Sequence, residues 1–166
     1  MDFSKFTHGD LFALHSSIMS ELRRRELVRT ANNAVADLGE LLFCTGLGWQ
    51  RQDKQGKDID AVTQNNERVQ IKSRRMTRDK DASRSGTIRD KNGWDLVALA
   101  MFNPDFSLKR AVIIPRDIAL QHLRWSNRQQ GWYISLTKTF WSEPDLIDVS
   151  DTLRTAANAL FLSQQE

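Results

Sequence analysis

A continuous apolar run at residues 94–102 (WDLVALAMF) constrains the possible folds of this chain most strongly. A strand with one face in water alternates apolar and polar residues, and this run does not alternate. It therefore predicts a central strand that is buried on both faces. A membrane-spanning helix requires about 20 apolar residues, so this shorter run does not predict one. Other elements must cover both faces of the sheet to which this strand belongs.

The remaining periodic segments supply that cover. Apolar residues three or four positions apart predict a first helix at residues 10–28. A second helix is predicted at residues 30–44, where Gly46-Leu47-Gly48 follows as a helix-ending signal. The further expected elements are strands at 58–63, 68–73, 94–102, 108–114 and 132–136, and helices at 115–123 and 151–162. Helices on both sides of consecutive strands predict an α/β fold with a mixed central β-sheet flanked by helices.

One domain spanning residues 1–166 is the expectation for a chain of this length. Within it we distinguish the N-terminal helices (10–45), a polar hairpin (58–73), a basic loop (74–92) and the remaining sheet and helices (94–162). Apolar residues make up 40% and charged residues 27%, which is typical of a globular chain rather than a disordered one. Cys44 is the only cysteine, and the N-terminus has no basic region followed by an apolar stretch. We therefore expect no disulfide, no secretory signal, no membrane partner and a cytoplasmic location.

The hairpin at residues 58–73 is the most informative polar segment. Side chains on a strand alternate between its two faces. A turn centred on Asn65 places Asp60 opposite Gln70, whereas a turn centred half a residue later places the acids on the other face. In the first register four polar side chains point the same way: Asp58, Asp60, Gln70 and Lys72.

These residue types suit hydrolysis of an anionic phosphodiester. Mg²⁺ prefers oxygen ligands, and Asp60 offers a carboxylate, Gln70 an amide oxygen and Ile71 its main-chain carbonyl. Lys72 is placed to orient a water molecule or to stabilise developing negative charge. The histidines do not cluster with Cys44 or with each other along the sequence, so the sequence does not support a zinc site.

Asp60 followed ten residues later by Gln70-Ile71-Lys72 resembles the motif of the PD-(D/E)XK nuclease superfamily, and the preceding helix resembles the helix before that motif. The resemblance implies a restriction-endonuclease-like fold, a bound Mg²⁺ or Mn²⁺, and a metal site that Glu40 completes. Two features depart from the motif: no proline precedes either aspartate, and Gln70 replaces the usual carboxylate.

Two residue assignments remain open at this point. The spacing to Gln70 favours Asp60 over Asp58 as the metal-binding acid, and either is otherwise a solvated carboxylate at a strand end. On a helical wheel of about 100° per residue, Glu40 lies almost opposite the leucines of its helix, which indicates a surface position. The helix is so apolar, however, that burial on both sides is the alternative, and a buried acid then needs a partner such as a metal ion.

A basic segment follows the hairpin. Residues 68–91 contain nine Lys and Arg against three Asp, so this stretch carries +6 of a total charge of only +3. Such a block is typical of a phosphate-binding surface, and the alternative is a solvated loop. The candidate DNA contacts are Arg74, Arg75, Arg78, Lys80, Arg84 and Arg89. Because residues 74–91 include few apolar side chains, we expect them to be mobile without DNA.

The sequence therefore predicts a Mg²⁺-dependent endonuclease that acts on DNA, working as a homodimer. The alternatives are a catalytically inactive module of the same fold that binds nucleic acid, and a nuclease directed at RNA. Four tryptophans, Trp94, Trp125, Trp132 and Trp141, are expected in the core rather than as base-stacking surfaces. The Arg23-Arg24-Arg25 run is expected to be a solvated helix end.

Overall fold

The computed structural model describes residues 2–30, 34–52, 59–76 and 83–162. Its helices are α1 (His8–Arg24), α2 (Ala34–Leu47), α3 (Arg116–His122), α4 (Lys138–Trp141) and α5 (Ser150–Leu162). Its strands are β1 (Gln50–Arg51), β2 (Ala61–Val62), β3 (Arg68–Arg75), β4 (Leu96–Phe102), β5 (Leu108–Pro115), β6 (Leu123–Ser126), β7 (Gly131–Ile134) and β8 (Ile147–Asp148).

A six-stranded sheet with the order β1-β2-β3-β4-β5-β8 forms the centre of the fold. Strands β3 and β4 pair in parallel, and the other neighbouring pairs of this sheet are antiparallel. Strands β6 and β7 form a separate antiparallel hairpin. The predicted α/β class with a mixed sheet and flanking helices is therefore confirmed.

Strand β4 is buried on both faces, as the apolar run predicts. Ala98, Ala100 and Phe102 pack in the cluster beneath α2 and α5. The alternate residues Val97, Leu99 and Met101 pack in a second cluster with α3, α4 and the β6–β7 hairpin. Because both faces of the strand are covered, no position of β4 needs a polar residue.

Helix α2 lies very close to β3. A Cβ atom added at Gly39 would lie 1.8 Å from Ser73 Oγ, so this contact requires a glycine. The helix ends where Gly48 adopts a positive φ of 66°, a conformation that glycine adopts without strain. The close approach brings the buried acids of α2 near the strands that carry the polar hairpin.

Helix α1 differs from the other long helices because none of its residues is buried. A capping box between Thr7 and Asp10 satisfies its N-terminal amides. Arg24 and Arg25 pair with Glu21 on the helix surface, so the arginine run is a solvated helix end as predicted. Within the described ranges, no helix has both the length and the apolar character needed to span a bilayer.

Several element boundaries differ from the sequence-based prediction. The first helix covers His8–Arg24 rather than residues 10–28, and the second extends to Leu47, while residues 31–33 lie outside the described part. Four short elements were not predicted: β1, β6, α4 and β8. Two to four residues are too few to show a hydrophobic period, and only their neighbours in space define them.

The basic loop predicted at residues 74–92 is largely structured where it is described. Arg74 and Arg75 belong to β3, not to a loop. Ile88 is fully buried and exchanges main-chain hydrogen bonds of 2.7 and 2.8 Å with Trp132. The premise of the expected mobility, that packing cannot hold this segment, is therefore wrong for residues 83–91, where one buried side chain and main-chain pairing anchor the chain.

The tryptophans do not all lie in the core. Trp94 is fully buried, as predicted. Trp132 and Trp141 are half-buried at the margin of the second cluster. Trp125 is 45% exposed, so its predicted core position is wrong. Its cross-strand neighbour Trp132 covers only part of the Trp125 ring, because the β6–β7 hairpin has only two strands.

Candidate functional site

The pairing of β2 with β3 decides the register of the polar hairpin. Ala61 pairs with Val69 and Val62 pairs with Arg68. This register centres the turn on Asn65, as in the first of the two alternatives, and Asp60 lies one residue before its first pair. Asp58 lies outside the described residues.

Asp60 lies where the chain enters β2, and its side chain substitutes for part of the strand ladder. Its amide donates to the carbonyl of Val69 at 2.9 Å, one residue out of step with the pairing of Ala61 and Val69. The Ile71 amide then donates to Asp60 Oδ2 at 2.7 Å instead of to a main-chain carbonyl. The carboxylate is thus held against the strand by main-chain geometry, which limits its freedom to move.

Two β3 side chains converge on the same carboxylate oxygen. The Gln70 side-chain amide donates to Asp60 Oδ2. Lys72 Nζ lies 3.9 Å from that oxygen, and the Asp60 and Lys72 side chains are 23% and 20% exposed. Asp60, Gln70, Ile71 and Lys72 are therefore brought together at one edge of the β2–β3 pair, partly open to solvent.

The pKa of Asp60 is raised above the ordinary value of 3.8, chiefly because burial penalises the charged carboxylate. Lys72 and the Ile71 amide oppose this shift, while the charge of Glu40 adds to it. A carboxyl group with a raised pKa in a partly open position is more typical of a functional site than of a solvated strand end.

Glu40 is buried on α2, so the alternative of burial on both sides of this helix is correct. Its partners are arginines. Glu40 Oε2 pairs with Arg29, which lies just before the helix, and with Arg51 of β1 at 3.0 Å. Two guanidinium groups therefore supply positive charge to this buried acid, and its role in a metal site stays a prediction.

Asp37 belongs to the same ionic cluster and is fully buried. Its Oδ2 accepts hydrogen bonds from the amides of Arg29 and Thr30 at 2.9 and 2.8 Å and from the Thr30 hydroxyl at 2.8 Å. Arg51 Nη2 lies 3.8 Å from its other oxygen. Sequence reasoning missed Arg29, Arg51 and Asp37 as members of this cluster. The available signal was the pair of acids three positions apart on an otherwise apolar helix, which requires nearby cations.

The donor set determines which metal ion these residues suit. Asp60 and Gln70 offer oxygen atoms, and the described ranges contain no group of three or more His, Cys, Asp or Glu residues arranged to hold a metal ion. Such a set suits a hard cation that keeps several of its waters, as Mg²⁺ does. The fit rests on Asp60, Gln70 and the Ile71 main chain, since Arg29 and Arg51 already neutralise Glu40.

The described residues among the predicted DNA contacts fall in two places. Arg74 and Arg75 are exposed at the end of β3, where the Arg75 guanidinium lies 4.4 Å from the ring centre of Phe106. Arg84 and Arg89 are exposed on the segment that pairs with β7. Arg78 and Lys80 lie outside the described residues.

Residues 83–91 bring part of this basic surface close to the hairpin site. A Cβ atom added at Gly86 would lie 3.3 Å from Lys72 Cδ, so the segment passes directly beside that lysine. It is connected to β7 through Ser85, whose amide donates to the Ile134 carbonyl at 3.0 Å. The arrangement places the exposed Arg84 near Lys72, and Arg74 lies two positions beyond Lys72 on the same face of β3.

Comparison of the sequence with models of known protein families, and with curated proteins, finds no match.

Proposed function

We propose that this protein is a metal-dependent nuclease of the restriction-endonuclease-like fold that hydrolyses phosphodiester bonds in DNA. The observation that carries the proposal is the convergence of Gln70, the Ile71 amide and Lys72 on Asp60. The raised pKa of Asp60 and the exposed Arg74 and Arg84 near Lys72 add support.

The roles of the chain's own residues follow from their positions. Asp60, the Gln70 amide oxygen and the Ile71 carbonyl would hold Mg²⁺ or Mn²⁺, which when bound neutralises phosphate charge and promotes formation of the attacking hydroxide. The positive charge of Lys72 stabilises the oxygen atoms that become more negative as the phosphodiester is attacked. Arg74, Arg75, Arg84 and Arg89 bind the phosphate backbone on either side.

A second candidate is a module that binds nucleic acid without cutting it. The observation in its favour is that two arginines neutralise Glu40, so this acid adds little negative charge to a metal site. Gln70 in place of a carboxylate acts in the same direction. This reading keeps the basic surface and removes only the reaction.

We also propose that the protein acts as a homodimer that pairs through α1, in a reducing cytoplasm. This helix exposes Leu11, Phe12 and Ile18. It carries Asp10 in its first turn and Arg23 and Arg24 in its last, so an antiparallel pair of α1 helices would place opposite charges together. Sedimentation equilibrium of the parent and of Phe12→Asp/Ile18→Asp tests this, and a parent that is monomeric at micromolar concentration contradicts it.

Cleavage of labelled DNA tests the catalytic proposal. The purified protein is incubated with supercoiled plasmid and with single- and double-stranded oligonucleotides in Mg²⁺, Mn²⁺ or EDTA. We expect cutting with either metal ion and none with EDTA. Lys72→Met, prepared in the same way, should abolish cutting and so exclude a contaminating nuclease, while Lys138→Met at an exposed position on α4 should retain it. Metal-dependent binding without cutting on every substrate would favour the non-cutting module instead.

A further inference from the structure

The β6–β7 hairpin presents an aromatic surface that the proposed reaction does not use. Trp125 pairs directly with Trp132 across the two strands. Their ring centres lie 5.3 Å apart in an edge-to-face arrangement. Trp125 nevertheless remains 45% exposed, which is unusual for so large an apolar side chain.

Cations lie on both faces of this hairpin, because Tyr133 alternates with Trp132 along β7 and points to the opposite face. Lys91 Nζ lies 5.0 Å from the ring centre of Trp132, and the Arg84 guanidinium lies 4.9 Å from that of Tyr133. Arg89, Arg124 and Arg128 are exposed on the same segments. Asp90 is the acid within residues 84–91, and residues 123–134 contain none, so the surface carries a clear excess of positive charge.

Stabilisation of the hairpin accounts for only part of this arrangement. A cross-strand aromatic pair stabilises a two-stranded sheet. The Trp125 indole N–H also donates to Asn127 Oδ1 at 2.8 Å, which fixes the orientation of the ring. Neither contact explains why about half of the Trp125 ring remains in water, with Lys91 beside its partner Trp132. An exposed aromatic ring surrounded by cations is the combination that binds unpaired nucleotides, because bases stack on the ring and phosphates pair with the cations.

The hairpin is connected to the proposed active site by the 83–91 segment. Ile88 of that segment pairs with Trp132, and Gly86 of the same segment passes beside Lys72. A nucleic-acid strand that lies along this segment can therefore contact Trp125 and extend toward Lys72.

We propose that Trp125, together with the cations around the β6–β7 hairpin, binds single-stranded DNA by stacking an unpaired base. This inference deepens the proposed function, since it names the form of the substrate. Duplex DNA keeps its bases paired and offers the ring no accessible base face, so it would bind this surface through charge alone.

Binding in EDTA tests the inference without any cleavage. Fluorescence anisotropy would measure the affinity of the full chain for a labelled thymidine oligonucleotide, an abasic oligonucleotide of equal length and a duplex. We expect Trp125→Ala to weaken thymidine binding roughly tenfold, as for the loss of one stacked base, and to leave abasic and duplex binding unchanged. Trp141→Ala is the matched control. Trp141 is a half-buried tryptophan in another part of the molecule, and its ring centre lies 4.5 Å from the guanidinium of Arg110.

Trp125→Leu and Trp125→Phe guard against an effect on folding. Leucine keeps an apolar side chain but has no ring, so it should behave like alanine, whereas phenylalanine should retain most of the affinity. Unchanged thymidine binding by Trp125→Leu, or an equal loss of thymidine and abasic binding, overturns the inference. Because the measurement needs no metal ion, tight single-strand binding without cutting would contradict the proposed nuclease function and leave this inference standing.

Discussion

Glu40 and Asp60 are both largely buried acids beside the same part of the sheet, yet their surroundings differ. Glu40 is held between two arginines that come from outside its own helix. Asp60 is held by a main-chain amide and a glutamine amide, with a single lysine 3.9 Å away. The first acid is fully compensated by positive charge, whereas the second remains in a site that disfavours its charged form.

This difference separates an acid that maintains the fold from one that is available for chemistry. A buried acid between two guanidinium groups makes the structure depend on it, since its removal leaves buried positive charge. An acid with a raised pKa costs stability in its charged form, and proteins retain such a group where function requires it. The comparison therefore predicts opposite consequences for neutral substitutions at the two positions.

The largest expected effect is on cleavage. Asp60→Asn should reduce the rate of DNA cutting roughly a thousandfold or more, because it removes the carboxylate of a metal site worth several kcal/mol to the transition state. Glu40→Gln should stay within about tenfold of the parent when both are measured well below their unfolding temperatures. Single-turnover cleavage of a labelled oligonucleotide measures both variants. Equal losses would mean that Glu40 also acts in the reaction.

The second-largest effect is on the free energy of unfolding, and here the substitution at Glu40 should matter more than the one at Asp60. Glu40→Gln should lower the free energy of unfolding by about 2–4 kcal/mol, because Arg29 and Arg51 then lack their shared carboxylate. Urea denaturation followed by circular dichroism measures it, with Asp60→Asn as the isosteric control. The double variant Glu40→Gln/Arg51→Met should recover part of the loss. If Glu40→Gln is as stable as the parent, the ionic cluster does not hold α2 in place.

A third prediction concerns the contact that sets the distance between α2 and β3. Gly39→Ala should cost about 1–3 kcal/mol of unfolding free energy, as overpacking generally does, because the new Cβ would overlap Ser73 Oγ. Gly9→Ala on α1 is the matched control, since its Cβ would lie 3.7 Å from the nearest atom, Thr7 Oγ1. Thermal unfolding compares the two variants with the parent. An equal effect at both glycines would show that helix propensity, not the close approach, controls the result.

The smallest expected effect is a pH-dependent difference between the parent and Asp60→Asn. The folded protein holds the Asp60 proton more tightly than the unfolded chain does, because the pKa is raised on folding. The parent should therefore lose stability relative to Asp60→Asn as pH rises from the unfolded value of 3.8 through the raised value. The urea midpoints of the parent and of Asp60→Asn, measured from about pH 3 to about pH 8, check this, because that range begins below the ordinary carboxyl pKa and extends well above it. If the difference between the two urea midpoints is the same at every pH, folding does not raise the pKa of Asp60.

Much of the fold can be predicted from the sequence where a pattern reflects burial directly. The run at residues 94–102 predicts a central strand because both faces of β4 are covered. Helices α1, α2, α3 and α5 are predicted within a few residues, since their apolar residues repeat along the chain, whereas α4 is too short to show such a repeat. The two-residue strands β1 and β8 carry no such period, and they exist only because β2 and β5 lie beside them.

The candidate site was only partly accessible from the sequence. The spacing of Asp60 and Gln70 allowed two registers, and the pairing of Ala61 with Val69 selects one of them. The partners of Glu40 could not be predicted, because Arg29 and Arg51 lie eleven residues away on either side. Burial of Ile88 was missed for a related reason. One apolar residue in a polar stretch shows no periodicity, although it anchors its segment to β7.

The sequence by itself determined the α/β class, the buried central strand and the set of residues that meets at the hairpin, because residue alternation and apolar periods are local properties. Tertiary structure decided the charge balance and exposure of those residues. The arginines that neutralise Glu40, the raised pKa of Asp60 and the exposed ring of Trp125 all depend on which segments approach one another. Electrostatic energy and solvent exposure depend on distances through space, and residue order along the chain leaves these distances open.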